Sequence, residues 1–196
     1  VRPSGRVANG THLLDGQERL VLEVGSELED GTRLVRSIGQ SMQELLNSQG
    51  VLPLPPYIES TLRDSDRYQT VYAKKASSVA APTAGLHLTG EVLDRCKKAG
   101  AQIYSVELSI GIGTFRPLRG GALSDQQMHS ERYRVDASVM NACLAADRVV
   151  AVGTTVVRAL ESAAVSGSLE GRTDLFIQPG FEFRVVDALI TNFHLP

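Results

Sequence analysis

The chain has 196 residues, a formal net charge of −2, 42% hydrophobic and 21% charged residues, and two cysteines. That composition supports a core without disulfide staples or a structural metal, and its overall charge does not advertise a dedicated nucleic-acid binder. No apolar run reaches the roughly 20 residues needed to span a bilayer, and no secretory signal is expected, because no apolar stretch follows Arg2 and Arg6.

Residues 1–38 read as a β-meander. The runs 20–24 (LVLEV) and 33–36 (RLVR) predict strands, with Asp15-Gly16 and Asp30-Gly31 as turn dipeptides. His12 falls in a turn-rich segment and is expected at the surface. Residues 41–49 predict one short helix, with Met42, Leu45 and Leu46 on one face and Gly50 as its stop. Pro53, Pro55 and Pro56 favour extended backbone and mark a boundary. The expected domains are therefore 1–50, part of a small all-β barrel domain with a terminal helix, and 51–196.

Beyond the prolines, helix and strand alternate. Helices are predicted at 90–99 (Val92, Leu93 and Cys96, with Gly100 after it), at 136–145 (Val139, Cys143 and Leu144 inward) and at 155–164. Strands are predicted at 103–108, 149–152, 175–177 and 188–191, the second of them fully apolar as in a covered sheet. This order predicts the α/β class: a barrel-like domain with mostly parallel strands. Cys96 and Cys143 fall in predicted helices without paired spacing, and are expected as buried thiols of a reducing cytoplasm.

Four islands stand apart from core patterning. Residues 78–87 (SVAAPTAGLH) are small and nearly uncharged, so a ligand or another backbone can approach closely. The others are Met128-His129-Ser130-Glu131, the stretch from Gly153-Thr154-Thr155 to Glu161, and 187–196. In α/β folds, loops at the C-terminal ends of strands form the site. Gly111-Ile112-Gly113-Thr114, Gly153-Thr154-Thr155 and Asn192-Phe193-His194 each follow a predicted strand.

The chemistry open to these islands follows from residue type. Free backbone N–H groups at Gly153-Thr154-Thr155 suit a carboxylate or phosphate; the alternative is plain capping by Thr154. Arg158 and Glu161 lie three apart on one helix face, where they can pair. His87, His129 and His194 each sit in an island, and imidazole exchanges protons near neutrality. No histidine or cysteine spacing suggests a metal, Gly111-x-Gly113 lacks the rest of a dinucleotide fingerprint, and no Gly-x-Ser-x-Gly elbow is present. Local basic clusters occur at Arg63, Arg67, Lys74 and Lys75, at Arg116 and Arg119, and at Arg132 and Arg134. Each reads either as a solvated surface or as part of a basic face.

Taken in order, LPLPPYI (52–58), RYQTVYA (67–73), SVAAPTAGLH (78–87), GTFRP (113–117), MHSE (128–131), AVGTT (151–155) with Arg158 and LES (160–162), and DALITNFHLP (187–196) cover much of the chain. This series resembles the S-adenosylmethionine:tRNA ribosyltransferase-isomerases of the queuosine pathway. The resemblance implies an enzyme that moves and isomerises the ribosyl part of S-adenosylmethionine onto 7-aminomethyl-7-deazaguanine at the tRNA wobble position. Epoxyqueuosine forms, and adenine and methionine leave. S-adenosylmethionine is then a co-substrate with no permanently bound cofactor, and the tRNA anticodon loop is the partner of a cytoplasmic monomer without membrane contact.

The resemblance also implies site roles. His87, His129, Glu131 and His194 are the catalytic candidates, with Glu131 orienting or deprotonating the amine. Thr154, Thr155 and Arg158, with Gly153 and Glu161, hold charged ends of the substrates. Asp187, Thr191 and Asn192 meet sugar or base edges. Ala81, Pro82, Thr83, Gly85, Thr114 and Phe115 complete the binding surface, and Tyr57, Tyr68, Tyr72, Phe115 and Phe193 are candidates for stacking on a splayed base. Ser109 and Gln126 stand where the family commonly has histidine, Val156 where it has serine, and Gln178 where it has tyrosine. Two other readings are a non-catalytic tRNA-binding relative and an S-adenosylmethionine-dependent transferase for a small molecule. The chain is expected to be a piece of a longer protein, and the short link Ala145-Ala146-Asp147 to mark an omitted loop.

Overall fold

A computed structural model of the chain describes residues 7–28, 32–51, 54, 65–74, 81–109 and 130–192. Two compact units are present, Val1–Leu52 and Pro53–Pro196.

The first unit is an antiparallel three-stranded sheet, β1 (His12–Leu14), β2 (Leu20–Glu27) and β3 (Arg33–Ser37), with β2 central. The strands expected at 20–24 and 33–36 lie within β2 and β3. His12 opens β1 and is exposed. The turn between β1 and β2 is organised by Asp15. Its carboxylate accepts the N–H groups of Gln17 and Arg19 and pairs with the Arg19 guanidinium. The Arg19 backbone N–H, and then its side chain, hold the Asp15 carboxyl at about 2 against an ordinary 3.8.

Helix α1 (Met42–Gln49) follows from a capping box. Ser41 Oγ accepts the Glu44 N–H at 3.2 Å, and the Glu44 carboxylate accepts the Ser41 N–H at 2.8 Å. Leu45 is its buried residue, whereas Leu46, expected on the same face, is exposed.

In the second unit the described elements are α2 (Gly90–Lys98), β4 (Glu107–Ser109), β5 (Glu131–Arg134), α3 (Ala137–Ala145), β6 (Val150–Val152), α4 (Thr154–Ser166), β7 (Glu170–Thr173) and β8 (Ala188–Ile190). Strand β5 lies between β4 and β7 and is antiparallel to both. Its alternation is strict: Glu131 and Tyr133 are buried, Arg132 and Arg134 exposed. Strands β6 and β8 form a parallel pair, with Val150 opposite Ala188 and Val152 opposite Ile190.

The core is built on α4. Val157, Leu160 and Ala163 pack with Leu108, Tyr133, Val139, Met140, Ala151, Val185 and Val186. Tyr133 is almost fully buried and its hydroxyl is satisfied by Ser166 Oγ at 2.8 Å and the Ser168 carbonyl at 3.0 Å.

The α/β class holds, but several expectations differ from what the described residues show, among them the strand at 103–108, of which β4 holds the last two residues. Mostly parallel pairing is not found among the described residues: β6–β8 is parallel, while β4–β5 and β5–β7 are antiparallel, and the described strands close no barrel. The predicted strand at 175–177 is irregular, because the Leu175 N–H bonds the Thr173 hydroxyl and its carbonyl accepts from Arg158, leaving no ladder partner. Cys96 is exposed and Cys143 half-buried, so neither is a fully buried thiol. In α3, Met140 takes the inward place and Leu144 is exposed. Among the described residues no helix is long and apolar enough to cross a membrane.

Candidate active site

Three of the four islands meet at the C-terminal ends of β6 and β8. The chain leaves β6 through Gly153, whose φ of +96° is a conformation that side chains disfavour, and enters α4 directly. The Gly153 N–H donates to the Ile190 carbonyl at 2.8 Å, extending the parallel pair by one step. Thr191 and Asn192, the exposed residues after β8, therefore stand beside the start of α4.

The third island arrives from the other direction. Residues 81–85 form a tight turn: the Thr83 N–H bonds the Ala81 carbonyl at 2.9 Å around Pro82, and Thr83–Gly85 make one 3-10 turn. The Ala84 methyl lies 3.6 Å from where a Cβ on Gly153 would stand. Small residues on both sides thus bring two backbones together. His87 follows on the exposed side, and Thr89 caps α2 by accepting the Val92 N–H at 3.3 Å.

Gly85 is required by its neighbour. A Cβ there would lie 1.9 Å from Tyr72 Oη and 3.0 Å from its Cζ. Tyr72 is half-buried, and burial pushes its phenol above the ordinary value of 10.0. Gly85→Ala is expected to expel Tyr72, destabilising the second unit by about 1–3 kcal/mol and returning the phenol toward its ordinary titration. Spectrophotometric titration of the tyrosines, with Tyr72→Phe as reference, reads this directly.

One turn into α4 lies a largely buried ion pair. The Arg158 guanidinium pairs with the Glu131 carboxylate, both largely buried, and Arg158 Nε donates to the Leu175 carbonyl at 3.1 Å. Arg158 Nη2 is buried and has no hydrogen-bond partner among the described residues. Among the described residues no side chain caps α4, and Thr154 is its first helical residue rather than its cap. The Val156 N–H bonds the Gly153 carbonyl at 3.1 Å, so among the described residues the N–H groups of Thr154 and Thr155 are the ones left open at this helix start. Thr154 and Thr155 precede Arg158 by four and three residues, which puts all three on one face.

The expected Arg158–Glu161 pair does not form. Glu161 has no solvent exposure, and its carboxylate accepts the N–H groups of Arg184, Val185 and Val186 at 2.9, 3.0 and 2.9 Å. It fastens the segment before β8 to α4. Asp187 stands at the other end of β8 from Asn192 and accepts the Val149 N–H at 2.7 Å, tying the starts of β6 and β8.

Of the remaining candidates, Ala81, Pro82 and Thr83 are half-buried in the turn and Gly85 is buried. Tyr68 is buried and not placed for stacking. His129, His194, Thr114, Phe115, Tyr57 and Phe193 lie outside the described residues. Tyr72, a stacking candidate, is half-buried against Gly85, and the Leu175 carbonyl is a contact that residue type did not single out, although it falls in a segment marked by periodicity.

A turn of small residues thus packs on the start of α4, with a buried arginine one turn in. The chain belongs to the queuosine biosynthesis protein family, whose model matches residues 1–196. It is 54% identical over 196 residues to the S-adenosylmethionine:tRNA ribosyltransferase-isomerase of Rubrobacter xylanophilus, covering all of this chain and 58% of that relative. Relatives of the same name from Solibacter usitatus and Staphylococcus saprophyticus are 46% and 43% identical over 199 and 205 residues, again covering all of this chain and 56% and 60% of their own lengths. The chain thus spans less than two thirds of the length of these curated relatives.

Proposed function

We propose that this chain is part of an enzyme that transfers and isomerises the ribosyl moiety of S-adenosylmethionine onto 7-aminomethyl-7-deazaguanine at the tRNA wobble position. Membership of the family and the names of its relatives support the reaction class. The observation that carries the reading is the convergence of residues 81–87, 153–158 and 191–192 at one end of the β6–β8 pair.

The N–H groups of Thr154 and Thr155, with the unpartnered Nη2 of Arg158, receive an anionic substrate group, such as the methionine carboxylate or an RNA phosphate. Glu131 holds the guanidinium in place, because its carboxylate is already committed to Arg158. The sulfonium of S-adenosylmethionine acidifies the adjacent 5′ carbon and makes methionine a good leaving group. The reaction then needs a base for that carbon proton, a neutral amine as nucleophile and an acid for departing adenine. His87, His129 and His194 are the proton-transfer candidates. Thr191 and Asn192 hydrogen-bond sugar or base edges. Glu161 and Asp187 hold the strands and do not touch substrate. The same reading places the protein in the cytoplasm, with its tRNA, as a monomer with no resident cofactor.

The test is release of free adenine from S-adenosylmethionine in the presence of tRNA carrying 7-aminomethyl-7-deazaguanine, with unmodified tRNA as control. Release only with the modified tRNA is expected. Release without tRNA would assign a small-molecule acceptor, and tRNA binding without release would assign a binding protein.

A further inference from the structure

The outer face of the β4–β5–β7 sheet is divided by charge. One cross-strand row is Glu107, Arg134 and Glu170, in register across the three strands. Arg134 lies between two carboxylates there, with Asp136 3.7 Å away as a third. The next row is Ser109, Arg132 and Arg172, and it has no acidic member. Arg132 and Arg172 are directly opposite each other, and both are exposed.

Like charges facing across an antiparallel pair are destabilising, so the second row carries an electrostatic cost. Arg172 is also held in a fixed pose. Its Nε donates to Ser130 Oγ at 3.0 Å and its Nη2 to the Ser130 carbonyl at 2.9 Å. The Arg132 guanidinium has no hydrogen-bond or ion-pair partner among the described residues. One guanidinium is thus oriented and the next is unspent, which is the arrangement a bridging oxyanion requires. Position adds to this. Glu131, the residue before Arg132, points through the sheet to Arg158, so the cationic row lies on the reverse side of the strand that supports the candidate active site.

We propose that Arg132 and Arg172 grip a phosphate of the tRNA backbone and so set the register in which the anticodon enters the site. This rests on the tRNA reaction proposed above. Among the described residues this sheet face is open and encloses nothing. It therefore suits a phosphate delivered by a polymer with further contacts on either side, rather than a free ion.

The experiment measures tRNA affinity against salt concentration for the full chain and for Arg132→Gln, Arg172→Gln, Arg132→Lys and Arg134→Gln. Thermal unfolding confirms that each variant is folded. Arg132→Gln and Arg172→Gln are expected to weaken binding about tenfold and to reduce the slope of log affinity against log salt by about 0.7 to 1 each. Arg132→Lys should recover most of the slope, and Arg134→Gln should match the parent. Inorganic phosphate at millimolar concentration should not displace the tRNA; displacement lost in Arg132→Gln would mean a free-ion site and overturn the proposal. Unchanged affinity and slope in both glutamine variants, with adenine release intact in the parent, would overturn the grip while leaving the reaction standing. Weakened variants of a parent that binds tRNA without releasing adenine would uphold the grip and remove the reaction. A parent that does not bind tRNA would remove both.

Discussion

Arg158→Met is expected to destabilise the second unit by about 3–5 kcal/mol and to abolish adenine release. The physical basis is asymmetry. Glu131 and Arg158 are both largely buried and face each other across α4 and β5. Removing the guanidinium leaves the Glu131 carboxylate in low dielectric without its cation, which costs far more than an exposed pair contributes. The same change deletes the donor to the Leu175 carbonyl. Arg158→Lys keeps the charge but not the planar fork, and should fall between parent and methionine variant. Combining Glu131→Gln with Arg158→Met should recover part of the loss, because the stranded charge is gone. The chain has no tryptophan, so urea unfolding followed by far-ultraviolet circular dichroism is the suitable measurement. Equal stability of Arg158→Met and the parent would show that the pair does not hold β5 to α4.

Glu161→Ala is the second large effect, about 3 kcal/mol or more. Its carboxylate serves three backbone N–H groups, of which those of Val185 and Val186 belong to buried residues. Alanine leaves these donors without partners, at about 1–3 kcal/mol each. Glu161→Gln retains one oxygen, enough for the two bonds made by Oε1, and turns an amide donor toward Arg184. Its cost should be nearer 1 kcal/mol. Amide hydrogen exchange at residues 184–186 distinguishes the variants: alanine should expose these amides and glutamine should expose only that of Arg184. Protection unchanged in the alanine variant would exclude the tether.

What could be read from the sequence was the part governed by local pattern. The apolar run before Gly153-Thr154-Thr155, followed by helical spacing of Val157, Leu160 and Ala163, located β6 and α4. Strand β8 was found in the same way. Strand β5 was not, because Glu131 occupies an inward position where an apolar residue would signal a strand, and the arginine that neutralises it lies 27 residues away. Strand β7, with Glu170, Gly171 and Arg172, has hardly any apolar face to read. Those two strands, absent from the sequence reading, carry the antiparallel pairing seen among the described residues.

The candidate site is legible as four islands, and contacts that no spacing rule supplies join three of them at the ends of β6 and β8 and the fourth through Glu131 to Arg158. Arg158 and Glu161 show the limit most clearly. Their separation by three residues suggested mutual pairing, yet each finds a partner on a different strand-linked segment. Helical neighbours compete with tertiary partners, and burial decides in favour of the latter.

The Glu161 tether gives α4 a second task. One end of this helix presents the amides of Thr154 and Thr155, and two turns on it anchors the segment that launches β8 toward Thr191 and Asn192. Both groups of candidate residues are therefore carried by a single helix. Their relative position is set when the chain folds, so its ordering cost falls on folding rather than on substrate capture.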